Sequence, residues 1–182
     1  MEILTEQGFG STGLEEVLRQ GGVPKGSFYY YFASKEAFGA AVIDGYARCF
    51  AEKLDRHLNA TARPRLGRLQ AFIDDAKRGM RRHAFRRGCL IGNLGQELGP
   101  NHDAFRAQLA AVFDDWNRRV ARLLDEARAA GEFASDDDSA ALAELFWIGW
   151  EGAVLRARLV RNAEPLDRFA HVFFTRVLRR RA

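Results

Sequence analysis

Lys25-Gly26-Ser27, followed closely by Tyr29-Tyr30-Tyr31 and Lys35, is the stretch of this sequence best equipped to hold a polyanion. Lysine ammonium groups and serine or tyrosine hydroxyls bond phosphate oxygens, and a glycine lets backbone come close to a base edge. Tyr29, Tyr31 and Lys35 suit phosphates and so fix register, while Lys25, Gly26 and Ser27 suit base edges or phosphates. A second set of groups suits a small molecule. Asn93 and Glu97 stand four apart, and Glu151 follows Trp147 by four, so each pair shares one helix face. Polar groups of this kind among Trp116 and Trp147 can orient a ligand in an apolar pocket. Cys89, preceded by Arg86-Arg87-Gly88, would open a short helix, where the dipole and the arginines favour a thiolate; Cys49, mid-helix, lacks that setting.

Other apparent motifs carry less. Gly8-Phe9-Gly10-Ser11-Thr12-Gly13 has dinucleotide-fingerprint spacing and Glu36 lies downstream, but that fingerprint needs a preceding buried strand, and residues 1–7 are too polar for one. His57, His83, His102 and His171 are scattered, with neither C-x-x-C nor H-E-x-x-H present, so no metal site, cofactor or enzyme activity is expected. A helical interaction module, with the aromatic run as mere core, remains the alternative. It leaves Lys25-Gly26-Ser27 and the three tyrosines without a purpose.

The elements that would position these groups are helical throughout. Ala, Leu, Arg and Glu abound and the 182 residues include only 4 prolines. A first short helix ends at Gly8. Thr12, with Glu15 three residues later, reads as a capping box for a helix whose Leu14, Val17 and Leu18 make an apolar face. Gly21-Gly22 turns the chain, and Pro24 opens a short aromatic helix to Phe32, with Phe28, Tyr31 and Phe32 on one face. Leu14, Val17, Val23 and Phe28 would form the small core beneath. Ser34 caps a long helix from Lys35 to His57, and the pattern breaks at Thr61–Pro64. Further helices are expected over Leu66–Phe85, Cys89–Leu98, from Asn101 through Leu123, Ser139–Arg161 and Pro165–Arg180. The fold class is therefore all-α: an N-terminal three-helix helix-turn-helix DNA-binding domain over 1–45, then a C-terminal helical ligand-binding and dimerisation domain over 46–182. The last two helices are too apolar to be wholly exposed, so a homodimer through Val154, Leu155, Leu159, Phe173, Phe174 and Val177 is expected.

Charge is a weaker guide. The net charge is +4, yet residues 1–44 hold three basic side chains against six acidic ones. No stretch is long and apolar enough for a membrane span, no export leader is evident, and two cysteines suit a reducing compartment, so a cytoplasmic protein is expected.

The segment Gln7-Gly8-Phe9, Thr12-Gly13-Leu14, Val17, then Gly22 through Ala37 closely resembles the DNA-binding signature of the TetR family of transcriptional regulators. The resemblance implies a homodimeric repressor on a two-fold-symmetric double-stranded operator, released by a small-molecule inducer. By motif position Lys25, Gly26, Ser27 and Tyr30 would face bases, while Thr12, Tyr29, Tyr31 and Lys35 would hold the backbone. Cys89-Leu90-Ile91-Gly92-Asn93-Leu94 is similar to a segment of relatives that respond to electrophiles or small unsaturated acids. Two departures stand out: the first helix begins partway along, without a basic arm, so that either the start is truncated or misassigned or DNA affinity is weakened, and Gly13 stands where many relatives carry a hydroxyl, so that contact is expected to be lost or made by backbone alone.

Overall fold

The computed structural model describes residues 2–9, 12 and 14–179, and the described residues are almost entirely helical. In chain order the helices are α1 (Glu2–Gln7), α2 (Leu14–Gly21), α3 (Lys25–Tyr31), α4 (Lys35–Leu58), α5 (Arg65–Arg82), α6 (Leu90–Leu98), α7 (Asp103–Ala129), α8 (Ser139–Val160) and α9 (Glu164–Val172), the last continuing into a π-helical turn, Phe173–Val177. Gly10, Ser11 and Gly13, between α1 and α2, lie outside the described residues, and so does the expected loss of a hydroxyl contact at Gly13.

The chain divides into two compact units, neither contiguous in sequence: residues 1–49 with 88–112, and residues 50–87 with 113–182. Helices α4 and α7 each contribute one part to either unit.

In the first unit, α6 and the start of α7 support the N-terminal helices. Phe9 meets Phe105 edge-on with ring centroids 6.2 Å apart. Gly39 allows that packing, since a Cβ there would fall 2.8 Å from Phe9 Cζ and 3.0 Å from Phe105 Cζ. Two side chains of α6 reach the backbone of α1 and its exit. Glu97 accepts the Phe9 N–H at 2.9 Å, and Asn93 donates to the Thr5 carbonyl at 3.3 Å. On α7, Gln108 donates to the Ala40 carbonyl at 3.0 Å and to Asp44 at 2.7 Å. Ser34 caps α4 as expected, its hydroxyl accepting the Ala37 N–H at 3.1 Å.

The second unit has an aromatic centre. Trp116 of α7 and Trp147 of α8 lie 5.0 Å apart, and Phe50 of α4 lies 4.3 Å from Trp116. Phe146 faces Trp147 at 5.3 Å and Phe173 at 5.2 Å. Charged groups close the helix ends around this core. The Glu132 carboxylate accepts the N–H groups of Arg65 and Leu66, each at 2.9 Å, which satisfies the start of α5 from another segment. Arg68, 8% exposed, donates to the carbonyls of Leu58 at 3.2 Å and Arg63 at 3.0 Å. The segment after Gly131 runs extended, with Ala134 and Ser135 donating to the Leu178 carbonyl.

The C-terminus differs from the single helix expected over Pro165–Arg180. The π turn buries the consecutive Phe173 and Phe174, at 1% and 5% exposure.

Candidate DNA-binding surface and effector site

Helices α2 and α3 form the expected helix-turn-helix, and the turn is made by backbone physics. Gly22 sits at φ +64, in the left-handed region glycine occupies without strain. Its N–H donates to the Arg19 carbonyl at 3.3 Å while the Val23 N–H donates to the Leu18 carbonyl at 2.9 Å, the paired closure of a glycine-terminated helix. Pro24 is then the N-cap of α3, with φ −61 and ψ 142.

Phe28 anchors α3 from below at 2% exposure, packed against Phe32 at 5.4 Å and Phe38 at 5.6 Å. Leu18 is buried and Val17 half-buried, whereas Val23 is 40% exposed and stands outside the small core expected for it. The side chains of Leu14 and Lys25 lie outside what the structure describes. On the other side of α3, Gly26 is exposed with nothing within 4 Å of where its Cβ would be, and Ser27 is half-exposed. Tyr29, Tyr30 and Tyr31 are 59%, 83% and 72% exposed. Tyr31 therefore does not share the Phe28 face, because a seven-residue helix packed through Phe28 has room for few rings beneath it.

Two residues expected at the DNA backbone also contact the protein's own loop. Thr12 is 1% exposed and its hydroxyl donates to the Gly8 carbonyl. The half-exposed Lys35 ammonium lies 4.8 Å over the Phe9 ring and 3.5 Å from the Thr12 carbonyl. Phe9 thus carries the Lys35 cation on its ring and gives its N–H to Glu97.

The six candidate effector residues fall into two groups. Cys89, Asn93 and Glu97 belong to the first unit, and Trp116, Trp147 and Glu151 to the second. Cys89 is 8% exposed and is the N-cap of α6, its sulfur 3.5 Å from the Gly92 N–H, while Cys49 is exposed. Asn93 and Glu97 engage the Thr5–Phe9 backbone, as above. Trp116 and Trp147 are 0% and 2% exposed, and neither indole N–H has a hydrogen-bond partner among the described residues. Asn117, absent from the sequence-based candidates, has a buried amide oxygen in the same condition. Its place beside Trp116 was visible, but an asparagine on a long helix gives no sign of burial. A polar cluster was missed too. Asp75 accepts Lys53 at 2.8 Å and lies 3.4 Å from His57, and it draws these cations from α4, remote in sequence.

Among the described residues no three His, Cys, Asp or Glu side chains are grouped to hold a metal ion, and no helix is long and apolar enough to cross a membrane.

Comparison with known proteins agrees in both halves. Residues 1–42 match the profile of bacterial regulatory proteins of the tetR family, and residues 66–173 that of the tetracyclin repressor-like C-terminal domain. The chain is 52% identical to the transcriptional regulator AcuR of Cereibacter sphaeroides, over 95% of this chain and 79% of that one. It is 33% identical to the transcriptional repressor DhaR of Mycobacterium sp. strain GP1, over 97% and 87% of the two chains. Among solved structures, a regulatory protein TetR from Rhodobacter sphaeroides superposes with a TM-score of 0.91 at 51% identity, covering 94% of this chain and 91% of that one. The reduced form of Escherichia coli NemR does so at 0.86 and 26% identity, covering 94% and 89%. The glycine-turned helix pair with its exposed α3, and the aromatic-centred helices that follow, agree with both profiles, and the chain belongs to the TetR family of DNA-binding transcriptional regulators.

Proposed function

We propose that this regulator is a repressor that binds a two-fold-symmetric operator as a homodimer and leaves it when a small molecule enters the second unit. The observation that carries the reading is α3 itself, a seven-residue helix fixed from below by Phe28 and presenting Gly26, Ser27 and three exposed tyrosines outward. A helix of that size fits the major groove, and its first residues meet base edges. Lys25, Gly26, Ser27 and Tyr30 read bases. Tyr29, Tyr31 and Lys35 hold phosphates, and Thr12 contributes by shaping the loop. The names of DhaR and NemR as transcriptional repressors support repression over activation. Residues 1–45 act as the DNA-binding domain and 46–182 as the effector and dimerisation domain.

Release follows from geometry. Half-sites lie about 34 Å apart along the duplex, one helical turn, and a shift of α4 in each protomer changes the separation of the two α3 helices. Effector and operator then favour different states, and each weakens the other's binding by the same factor.

Selection of bound sequences from random DNA tests the reading. Recovery of a palindromic site, with protein dissociating on addition of an effector, is the expected result; no enrichment over input rejects it. In the same assay Lys25→Ala changes which bases are preferred. Lys35→Gln weakens all sequences alike and lowers the salt slope by about one phosphate contact.

A further inference from the structure

We infer that Glu97 is a positioning residue for DNA binding: from α6 it fixes the backbone at Phe9, and the Phe9 ring in turn holds the Lys35 ammonium where a phosphate meets it. The inference rests on the phosphate contact proposed for Lys35 and deepens it.

The contacts involved lie within the first unit and start where α1 stops. The Gly8 N–H still donates to the Leu4 carbonyl at 3.2 Å, as in a helix. One residue on, a continuing helix would bond the Phe9 N–H to the Thr5 carbonyl. Instead Glu97 accepts the Phe9 N–H at 2.9 Å, and Asn93 donates to the Thr5 carbonyl at 3.3 Å. Positions 93 and 97 stand four apart on α6, so one face of that helix takes both halves of the bond that α1 gives up. With both ends satisfied the chain leaves the helix at Gly8, whose φ of +86 lies in the region glycine adopts without strain. Phe9 is 5% exposed, and a buried N–H without an acceptor is costly, so Glu97 holds this exit in place.

Beyond the exit the Phe9 ring has a fixed seat, with Phe105 edge-on to it and Gly39 leaving room for it. The ammonium of Lys35, the first residue of α4, stands 4.8 Å over that ring and 3.5 Å from the Thr12 carbonyl. Ring and carbonyl orient the cation, yet neither carries a net charge that would neutralise it. The adjacent Glu36 carboxylate bonds its own N–H and Ser34, and Lys35 is the least of the influences on it. The positive charge is therefore left for an oxyanion. A lysine side chain otherwise samples many rotamers, and seating it beforehand reduces the entropy lost on meeting a phosphate.

The test uses the full chain and a DNA duplex of random sequence, whose binding reads phosphate contacts without needing the operator. Affinity is measured over a salt series for the parent, Lys35→Gln, Glu97→Ala, Glu97→Gln and the double variant Lys35→Gln with Glu97→Ala, with thermal melts alongside. Lys35→Gln should lower the salt slope by about one phosphate contact, and Glu97→Ala should give most of that drop. Glu97→Gln removes the same charge but keeps an oxygen for the Phe9 N–H, so its slope should match the parent's. The double variant should bind no worse than Lys35→Gln alone, because both act at one contact. Should Glu97→Ala fail to fold, Phe9→Leu keeps the N–H, removes the ring and should show the same loss of slope. Losses that add in the double variant overturn the inference, as do a Glu97→Gln as weak as Glu97→Ala and tighter binding by Glu97→Ala or Phe9→Leu. An unchanged slope in Lys35→Gln removes the phosphate contact itself and the inference with it. A drop there with none in Glu97→Ala or Phe9→Leu removes the inference alone.

Discussion

Asp75 accepts Lys53 at 2.8 Å, lies 3.4 Å from His57 and accepts Arg78 at 3.2 Å, so three basic groups converge on one carboxylate. The hydrogen bond from Lys53, helped by its charge and by His57 and opposed by partial burial, lowers the Asp75 pKa from 3.8 to about 2. A carboxyl with a depressed folded pKa stabilises the protein above its unfolded value and loses that contribution as pH falls through the folded one. The cluster is half-buried and partly screened by solvent, so the contribution is about 1 kcal/mol. Asp75→Asn is expected to lower the melting temperature at pH 7 by about 2–4 °C. The difference between variant and parent should shrink to about half near pH 3 and vanish below about pH 2, as thermal melts across that range will show. A difference that grows on acidification would contradict the assignment. Single residues are the least legible part of this sequence. Thr12 and Lys35 carry the right chemistry for phosphate, but their engagement with Gly8, Phe9 and the Thr12 carbonyl depends on folding of the loop. Cys89 too takes a role that residue type alone does not set: its sulfur accepts the Gly92 N–H at the start of α6 and burial limits access to it.

At the scale of elements, two glycines four positions apart make opposite demands on the helix-turn-helix. Gly22 is at φ +64, where a side chain costs about 1 kcal/mol or more, so Gly22→Ala should lower stability and with it DNA affinity. Gly26 lies within α3 with open space around it, so Gly26→Ala should raise stability by up to about 1 kcal/mol through helix propensity. It should nonetheless weaken operator binding if, as proposed, the α3 backbone approaches base edges at this position. Urea unfolding with parallel DNA titrations separates the two; a Gly26→Ala protein with unchanged DNA affinity would remove α3's first turn from the interface. Elements are legible because local signals set them: the glycine turn, Pro24, the Ser34 cap and the apolar spacing all act within a few residues. The π turn at Phe173–Val177 is not, since no cap, glycine or proline within that stretch marks it.

For the whole molecule, four exposed apolar side chains of α8, Leu145, Ile148, Leu155 and Leu159, form one stripe, with Val160 of α8 and Val172 of α9 exposed beside it. Spacings of 3, 7 and 4 residues keep that stripe on one face. Between α8 and α9 a groove of about 500 Å³ is lined by Gly152, Ala153, Val160, Pro165 and Phe169 among others. Such a patch fits a second copy of the chain in a four-helix contact. Val154, Phe173 and Phe174, expected at that contact, are instead buried within the chain, at 7%, 1% and 5% exposure, because both faces of these helices are apolar and sequence does not say which turns inward. Leu159→Glu, with Leu159 at 70% exposure, should yield a folded monomer at micromolar concentration with greatly weakened operator binding; sedimentation of an unaltered dimer would place the interface elsewhere.

The unit that carries α3 is completed by residues 88–112, through Glu97 on the Phe9 N–H, Phe105 against the Phe9 ring and Gln108 on Ala40 and Asp44. Recombination therefore cannot exchange the DNA reader as a simple N-terminal cassette. A splice after residue 45 would give the reader a foreign α6 and α7, and Phe9, Thr5 and Asp44 would face side chains selected for another protein. Descent with a new operator specificity is easier by point change along α3, where Gly26 and the tyrosines face outward, than by shuffling. Any graft meant to work must carry the matching α6–α7 segment with it.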